Sequence, residues 1–364
     1  MASDNGNIST TREPDHYQSS KEEIAIQAML MVALAIACLL GNGIVACIVI
    51  MREKLRSLSN ILLANLAFID LLKSGILIPL LTSTMLLTSE DSPLKGRVAC
   101  LILLSFSAFA ATVSMLAYVI IAVDRYIAVV HPVTYKQPWK SQTSVRCMFV
   151  MFPWVIAALV VFPIYITSHI NVRLGDVPCS RYRAEFMGNE TTTAVSLSIF
   201  VVSLFTLIVL YALLFISLRQ LSKRRIQFVS SENCQRVEER VRKMEIQTAK
   251  TTAMTVAAYV FLWILYMVAT LLRFQDYKSF WLDFLSLFFQ YTSGLINPLL
   301  YFARIRQFKE ELLRLCNPRR RRYARPSSMS ERSRRTSNIN VKIQCPDAPH
   351  ELRENPSAED PSNV

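Results

Sequence analysis

Residues 98–132 read VACLILLSFSAFAATVSMLAYVIIAVDRYIAVVHP. From Val98 to Val123 there is no Asp, Glu, Lys or Arg, and the run closes on Asp124-Arg125-Tyr126. About 20 helical residues at ~1.5 Å rise cross the ~30 Å hydrocarbon core of a bilayer, so this stretch reads as one membrane-spanning helix. Five further runs, 24–51, 147–168, 191–218, 251–272 and 284–303, are equally free of charge and at least 20 residues long. A seventh, 57–89, is interrupted only by Asp70 and Lys73. It counts as a span because two polar residues cost less than leaving so much apolar surface in water.

Composition agrees with seven spans. Of 364 residues, 52% are apolar and only 18% charged, against ~25% charged in soluble domains, and the mean hydropathy is +0.32. These values disfavour a soluble enzyme. The net charge of +13 is a topology signal: 30 of the 40 Lys and Arg residues fall in 52–56, 125–146, 219–250 and after Tyr301. The positive-inside rule therefore predicts a cytoplasmic C-terminus and an extracellular N-terminus. A nucleic-acid partner would need a basic face on a soluble fold, and none is implied. Residues 1–23 are polar and carry no cleavable signal, so the first span is expected to direct insertion.

Two glycosylation sequons, at Asn7 and Asn189, fall on the outer side. Of eight cysteines, only Cys100 and Cys179 face the oxidising side, and one Cys100–Cys179 disulfide is the economical reading. No repeat relates the two halves and Gly is scarce at eight residues, which disfavours a transporter. There is no phosphate loop, dinucleotide turn or metal-ligand spacing, and the four histidines lie far apart. Neither catalysis nor a metal centre is expected.

Several motifs sit in the corresponding spans, in order. They are Gly41-Asn42, Leu63-Ala64-Asn65-Leu66-Ala67 with Asp70, Asp124-Arg125-Tyr126, Trp154, and Asn297-Pro298-Leu299-Leu300-Tyr301. Together they resemble the rhodopsin-like G-protein-coupled receptors from Ile24 to about Cys316. The resemblance implies an all-α seven-transmembrane helix bundle in the plasma membrane, an extracellular ligand and a heterotrimeric G protein, linked by a two-state population shift. The layout expected is an extracellular N-terminus (1–23), the seven-span receptor domain (24–303), an amphipathic membrane-surface helix (304–316) and a disordered tail (317–364). The alternative function is a signalling-silent membrane scaffold; a transporter ranks below both.

The switch residues implied are Asp124, Arg125, Tyr126, Glu245, Tyr211, Asn297, Pro298 and Tyr301. A guanidinium in an apolar helix needs a partner, and Glu245, at the cytoplasmic foot of the sixth span, would let Arg125 latch helices three and six. The competing reading pairs Glu245 with Arg242 or Lys243. Trp263 lies halfway along the sixth span. It should face the bundle, where its N–H finds a partner, and form the pocket floor; the alternative is a lipid-facing aromatic.

Asp70 resembles the family's sodium-site carboxylate, with Ser114, Ser293, Asn297 and Trp263 at matching positions, so a sodium ion is the only cofactor implied. Lys73 is a departure. Three residues on, it lies near Asp70 on the same helix, and two readings stay open: it pairs with Asp70 and displaces the ion, or it enters the ligand cavity. The resemblance places Ser107, Ala108, Thr112, Tyr266, Met267, Asp283, Gln290 and Tyr291 in the pocket wall with Trp263. Amine receptors carry an Asp where this chain has Ser107, opsins a Lys where it has Tyr291, and the short N-terminus excludes a large ectodomain. A neutral or weakly polar small molecule or a short peptide is expected. Ser203 and Leu265 stand where helices five and six usually have proline, which predicts a smaller activating motion.

On the cytoplasmic side, Val133 and Tyr135 resemble the loop element that rests on the G protein, and Lys223 to Arg225 with Arg236 to Lys243 form a basic rim suited to G protein or acidic lipid. Phe308, Leu312, Leu313 and Leu315 alternate with Arg306, Lys309 and Arg314 in the amphipathic helix, which ends at Cys316, a palmitoylation candidate. Ser327, Ser328, Ser330, Ser333, Thr336 and Ser337 lie among arginines and suit phosphorylation and arrestin recruitment. Ser362-Asn363-Val364 fits the carboxylate pattern read by PDZ domains.

Overall fold

A helix that crosses lipid must satisfy its own backbone, because no water is available to do so. In the computed structural model, which describes residues 20–86, 97–131, 143–171, 190–223, 232–274 and 280–316, the chain does this with helices; there is no strand among the described residues.

Helix α1 (Lys21–Met51) opens on a capping box. The Ser20 hydroxyl accepts from the Glu23 amide at 3.1 Å, and the Glu23 carboxylate accepts from the Ser20 amide at 3.0 Å. Helix α2 runs over Leu58–Leu72, passes through one π-helical turn, Lys73–Leu77, and continues as Ile78–Leu86. Pro79 lies two residues after the end of the wide turn, in the first turn of the continuing helix, where its ring and missing N–H are tolerated. Then come α3 (Arg97–Val130), α4 (Thr143–Asn171), α5 (Glu190–Lys223), α6 (Glu232–Phe274), α7 (Phe280–Arg304) and, after a break at Ile305, α8 (Arg306–Cys316).

Six of these helices, α1 to α6, contain a window long and apolar enough to cross a membrane. The exception is α7, whose 25 residues suffice in length. Ser286, Gln290, Thr292, Ser293 and Asn297 lower its hydropathy, and it can carry them because one face packs on α6 and another on α1. Helix α3 is the hub, touching α2, α4, α5 and α6. In its most apolar window 56% of residues are buried, against 17% in α4 and 22% in α5, so those two helices turn most of their surface to lipid. Phe205 at 67% exposed, Leu159 at 66% and Leu40 at 63% would promote aggregation in water and are at home against acyl chains.

Several helices outrun the charge-free stretches. Asp124-Arg125 lies six residues inside the end of α3 rather than at its tip. With 43 residues, α6 is ~64 Å long, about twice the hydrocarbon thickness, so its charged first half projects beyond the membrane. Neither α5 nor α6 contains an internal proline, whereas α4 holds Pro153 and Pro163 and α7 holds Pro298.

One close approach sets how α1 meets α7. A Cβ on Gly41 would sit 2.7 Å from Cγ of Pro298, so glycine alone permits the contact. The neighbouring Asn42 completes the seam. Pro298 has no N–H to offer the Gly294 carbonyl four residues back, and the Asn42 amide donates to that oxygen instead at 3.0 Å.

Helix α8 is amphipathic as expected, with Phe308 fully buried and Leu313 and Leu315 about half exposed. Arg52, just after α1, ion-pairs with Glu311 at 2.8 Å and anchors it. Gly41→Ala should lower the thermal midpoint of the purified protein through overpacking worth about 1–3 kcal/mol. Gly43→Ala, whose Cβ would meet only Leu71 at 4.0 Å, should leave the midpoint within about a degree, the surface-like response of a site with space.

Candidate functional site

The polar residues of α2, α3 and α7 converge on Asp70, 3% exposed. The Lys73 ammonium lies 3.2 Å from one carboxylate oxygen and donates at 2.6 Å to the Ser114 hydroxyl on α3. The Asn297 amide donates to the other carboxylate oxygen at 2.8 Å. Asn297 in turn accepts from the Tyr118 hydroxyl at 2.7 Å, and the Ser114 hydroxyl donates to the Ala110 carbonyl at 3.0 Å. The carboxylate fits against α7 because Gly294 has no Cβ; one placed there would sit 3.0 Å from Cγ of Asp70. Ser293 does not join. Its hydroxyl donates to the Gln290 carbonyl at 2.7 Å, within its own helix.

Tyr118 and Tyr259 are absent from the residues singled out by motif. Their signal was spacing: Tyr118 lies four residues after Ser114, and Tyr259 four before Trp263, so each shares a helix face with a marked residue. The two rings meet at a centroid distance of 4.3 Å. Tyr259 lies 5.7 Å from Trp263, which stacks on Phe200 at 5.8 Å and meets Tyr266 edge-on at 5.2 Å. An aromatic column thus descends from Trp263 through Tyr259 to Tyr118, and passes to Asn297 and Asp70 by hydrogen bonds. The indole faces the bundle at 7% exposed. Its N–H, expected to find a partner, has none among the described residues, and the rings of Phe200, Tyr259 and Tyr266 lie against the indole.

Above the column, Ser107 on α3 and Tyr291 on α7 share a hydrogen bond of 2.9 Å. These are the positions at which amine receptors and opsins carry their charges, and here two hydroxyls bridge the bundle. Ala108 and Gln290 are partly buried nearby in sequence, Met267 is buried, and the Thr112 hydroxyl is turned back to the Ala108 carbonyl at 2.9 Å. Asp283 belongs to α7, but its side chain lies outside the described residues.

At the end of α3 remote from the Ser107–Tyr291 bridge, Arg125 is 3% exposed and its guanidinium donates twice to one oxygen of Asp124, at 2.6 and 3.2 Å. The same oxygen accepts from Ser59 of α2 at 2.7 Å. Glu245 lies on α6 with its side chain outside the described residues, so its pairing with Arg125 is not among these contacts. Tyr211 packs beside Val129, Leu214 and Ala249, while Tyr301 is 1% exposed and packs on Phe308 of α8 at 6.1 Å. Tyr126 is partly buried beside His131. Trp154 donates to Asn65 at 3.1 Å, joining α4 to α2.

Cys100 is disulfide-bonded. Cys179, its expected partner, lies outside the described residues, as do Asn7, Asn189, Val133, Tyr135, the side chain of Cys316 and the tail with Ser327, Ser328, Ser330, Ser333, Thr336, Ser337 and Val364.

This bundle, with a charged cluster at mid-membrane and a buried arginine at one end, is a receptor-type helix bundle. Residues 41–301 match the 7 transmembrane receptor (rhodopsin family), from the glycine that meets Pro298 to the tyrosine that meets Phe308. The chain is 25% identical over 346 residues to somatostatin receptor type 3 of Homo sapiens, covering 86% of this chain and 78% of the relative. It is 25% identical over 276 residues to trace amine-associated receptor 7d of Mus musculus, covering 73% and 75%. Trace amine-associated receptor 13c of Danio rerio matches at 25% over 291 residues, covering 76% and 82%. The chain belongs to the rhodopsin family of seven-transmembrane receptors. It is a multi-pass membrane protein of a family of G-protein-coupled receptors, not of enzymes.

Tyr118→Phe removes the donor to Asn297 and leaves a buried amide oxygen without its hydrogen bond, at about 1–3 kcal/mol. The thermal midpoint should fall, and basal nucleotide exchange on a coupled G protein should rise, because Asn297 is then held from one side only.

Proposed function

We propose that this protein is a plasma-membrane receptor, N-terminus outside, that binds a neutral or weakly polar small molecule or short peptide among α3, α6 and α7 and activates a heterotrimeric G protein. The observation that carries this reading is the continuous column from Trp263 through Tyr259 and Tyr118 to Asn297. A ligand that shifts the indole must displace rings in contact with it, and the displacement ends on the residues that hold α7 to α2. Dense interiors pass such shifts on because they do not deform continuously.

Ligand chemistry is argued from the Ser107–Tyr291 bridge. Two relatives are named for trace amines and one for somatostatin. The bridge itself is uncharged and offers hydroxyl donors and acceptors, which suits amide, carbonyl or hydroxyl groups; the Asp283 side chain lies outside the described residues.

Three buried threonines of α6 supply flexibility in place of the missing proline. Thr251, Thr252 and Thr255 each donate to a carbonyl of the preceding turn, at 2.9, 3.0 and 3.0 Å. Such back-bonding loosens the helical ladder and favours bending. In the active state, outward movement of α6 would uncover Arg125. The basic rim would meet the G protein or acidic lipid, Cys316 would carry palmitate, and the phosphorylated serine cluster would recruit arrestin. Asn7 and Asn189 would be glycosylated outside, Cys179 would close the disulfide with Cys100, and the terminal Ser-Asn-Val would engage a PDZ domain.

A G-protein activation panel tests this proposal, run first without ligand and then across small-molecule and peptide libraries. Wild type should accelerate nucleotide exchange on at least one G protein. Arg125→Ala should reduce that rate at least tenfold, a loss of about 1.4 kcal/mol of transition-state stabilisation. Glu245→Ala should raise basal exchange if the residue latches Arg125. Silence of the wild type across the panel would favour the scaffold. Once a ligand is found, Ser107→Ala and Tyr291→Phe should each weaken its binding about tenfold, as expected when a hydrogen-bonding site loses a partner.

A further inference from the structure

The resemblance implies a sodium ion beside Asp70, and the donor set here does not fit one. A hard cation needs several oxygens turned toward it with free lone pairs. At Asp70 one carboxylate oxygen faces the Lys73 ammonium at 3.2 Å and the other receives the Asn297 amide at 2.8 Å. The Ser114 oxygen receives the same ammonium at 2.6 Å. The Asn297 oxygen already accepts from Tyr118, and the Ser293 hydroxyl, although its lone pairs stay free, donates to the Gln290 carbonyl within its own helix and makes no bond to the Asp70 cluster among the described contacts. A metal ion at this point would also stand within a few ångströms of a fixed positive charge.

From this we infer that Lys73 is the receptor's own cation, tethered to α2 in the position the mobile ion would take, so that the core neither binds sodium nor responds to it. The geometry decides against the other reading of Lys73. Its ammonium is bound to Ser114, seven residues below Ser107 on α3, or ~10 Å deeper along the axis. The Ser107–Tyr291 bridge lies between that level and the outside.

The consequence is regulatory. A dissociable ion makes the resting state depend on ionic composition, because whatever binds one state preferentially stabilises it by mass action. A tethered ammonium acts at constant effective concentration and cannot be diluted. It also needs no oxygen from Ser293, whose hydroxyl donates to the Gln290 carbonyl one turn back in α7. Asn297 turns its amide nitrogen rather than its oxygen toward Asp70, as expected when a cation is already in place and the second carboxylate oxygen needs a donor.

The inference extends the receptor reading above to the composition of its core. Its first test does not depend on signalling: thermal unfolding of the purified full-length receptor in sodium chloride and in choline chloride at equal ionic strength. Wild type should show the same midpoint in both salts. Lys73→Met keeps the length of the stem and removes the charge; it should gain a midpoint that rises with sodium chloride, saturably. Lys73→Met combined with Asp70→Asn should lose that gain. If Lys73→Met does not fold, Lys73→Gln serves, and the wild-type comparison stands alone in either case. A saturable sodium effect in wild type, or none in a folded Lys73 variant, would overturn the inference. The second readout is basal exchange on a coupled G protein, where sodium should suppress only the Lys73 variant, severalfold. Lack of all G-protein activity would defeat the functional proposal while leaving the thermal result to judge this one.

Discussion

Everything in the interior follows from one carboxylate that lies where water does not reach. An ionised Asp70 alone in a low-dielectric bundle would be prohibitively unstable. Lys73 neutralises it from one turn away, and Ser114 and Asn297 complete the hydrogen bonds. Because the partners come from α2, α3 and α7, satisfying a local charge ties three helices at mid-membrane. The pair is also asymmetric in its risks. Removing one member of a buried pair exposes the other, at about 3–5 kcal/mol, whereas the intact pair contributes little net stability over apolar packing. Its value here is in orientation: it dictates which faces of α2, α3 and α7 meet.

A second constraint is the backbone itself. Each proline in a spanning helix frees a carbonyl that lipid cannot satisfy. At Pro298 the remedy is Asn42 of another helix, brought within 3.0 Å of the Gly294 carbonyl by the Gly41–Pro298 approach. Upstream of Pro79 the helix widens into a π-helical turn, Lys73–Leu77, in which the Ile78 N–H reaches back five residues to the Lys73 carbonyl. The turn begins at Lys73, so the irregularity and the buried charge occupy the same stretch of α2. The wide turn and placement of the ammonium are parts of one arrangement.

The column of Trp263, Tyr259 and Tyr118 runs to this charged centre without any charge of its own. Tyrosine suits the role because its ring packs like an apolar group while its hydroxyl makes one directed bond. Tyr118 uses both properties, with its ring against Tyr259 and its hydroxyl on Asn297. Near the C-terminal end of α3 the same economy appears in Arg125, whose charge is met by the adjacent Asp124 and whose position is shared with α2 through Ser59.

Charge-free runs of bilayer length marked six spans from sequence alone, and the seventh, which carries Asp70 and Lys73, followed from its long apolar flanks. The motifs around Asp70, Arg125 and Asn297 marked the residues that the fold then assembled. The polar face of α7 was legible too, although its hydropathy falls short of the other spans, since only a packed helix can carry that many hydroxyls and amides. Sequence could not decide where the Lys73 ammonium goes, which carbonyl Asn42 serves, that Ser293 turns away from Asp70, or that Tyr118 and Tyr259 touch. Periodicity assigns a residue to a helix face, but a four-carbon stem or an amide reaches several neighbours from that face. Which one it meets depends on how the helices are rotated against each other. Here the π turn in α2, the Gly41–Pro298 approach and the Gly294–Asp70 fit set that rotation, and these are contacts between segments far apart in the chain.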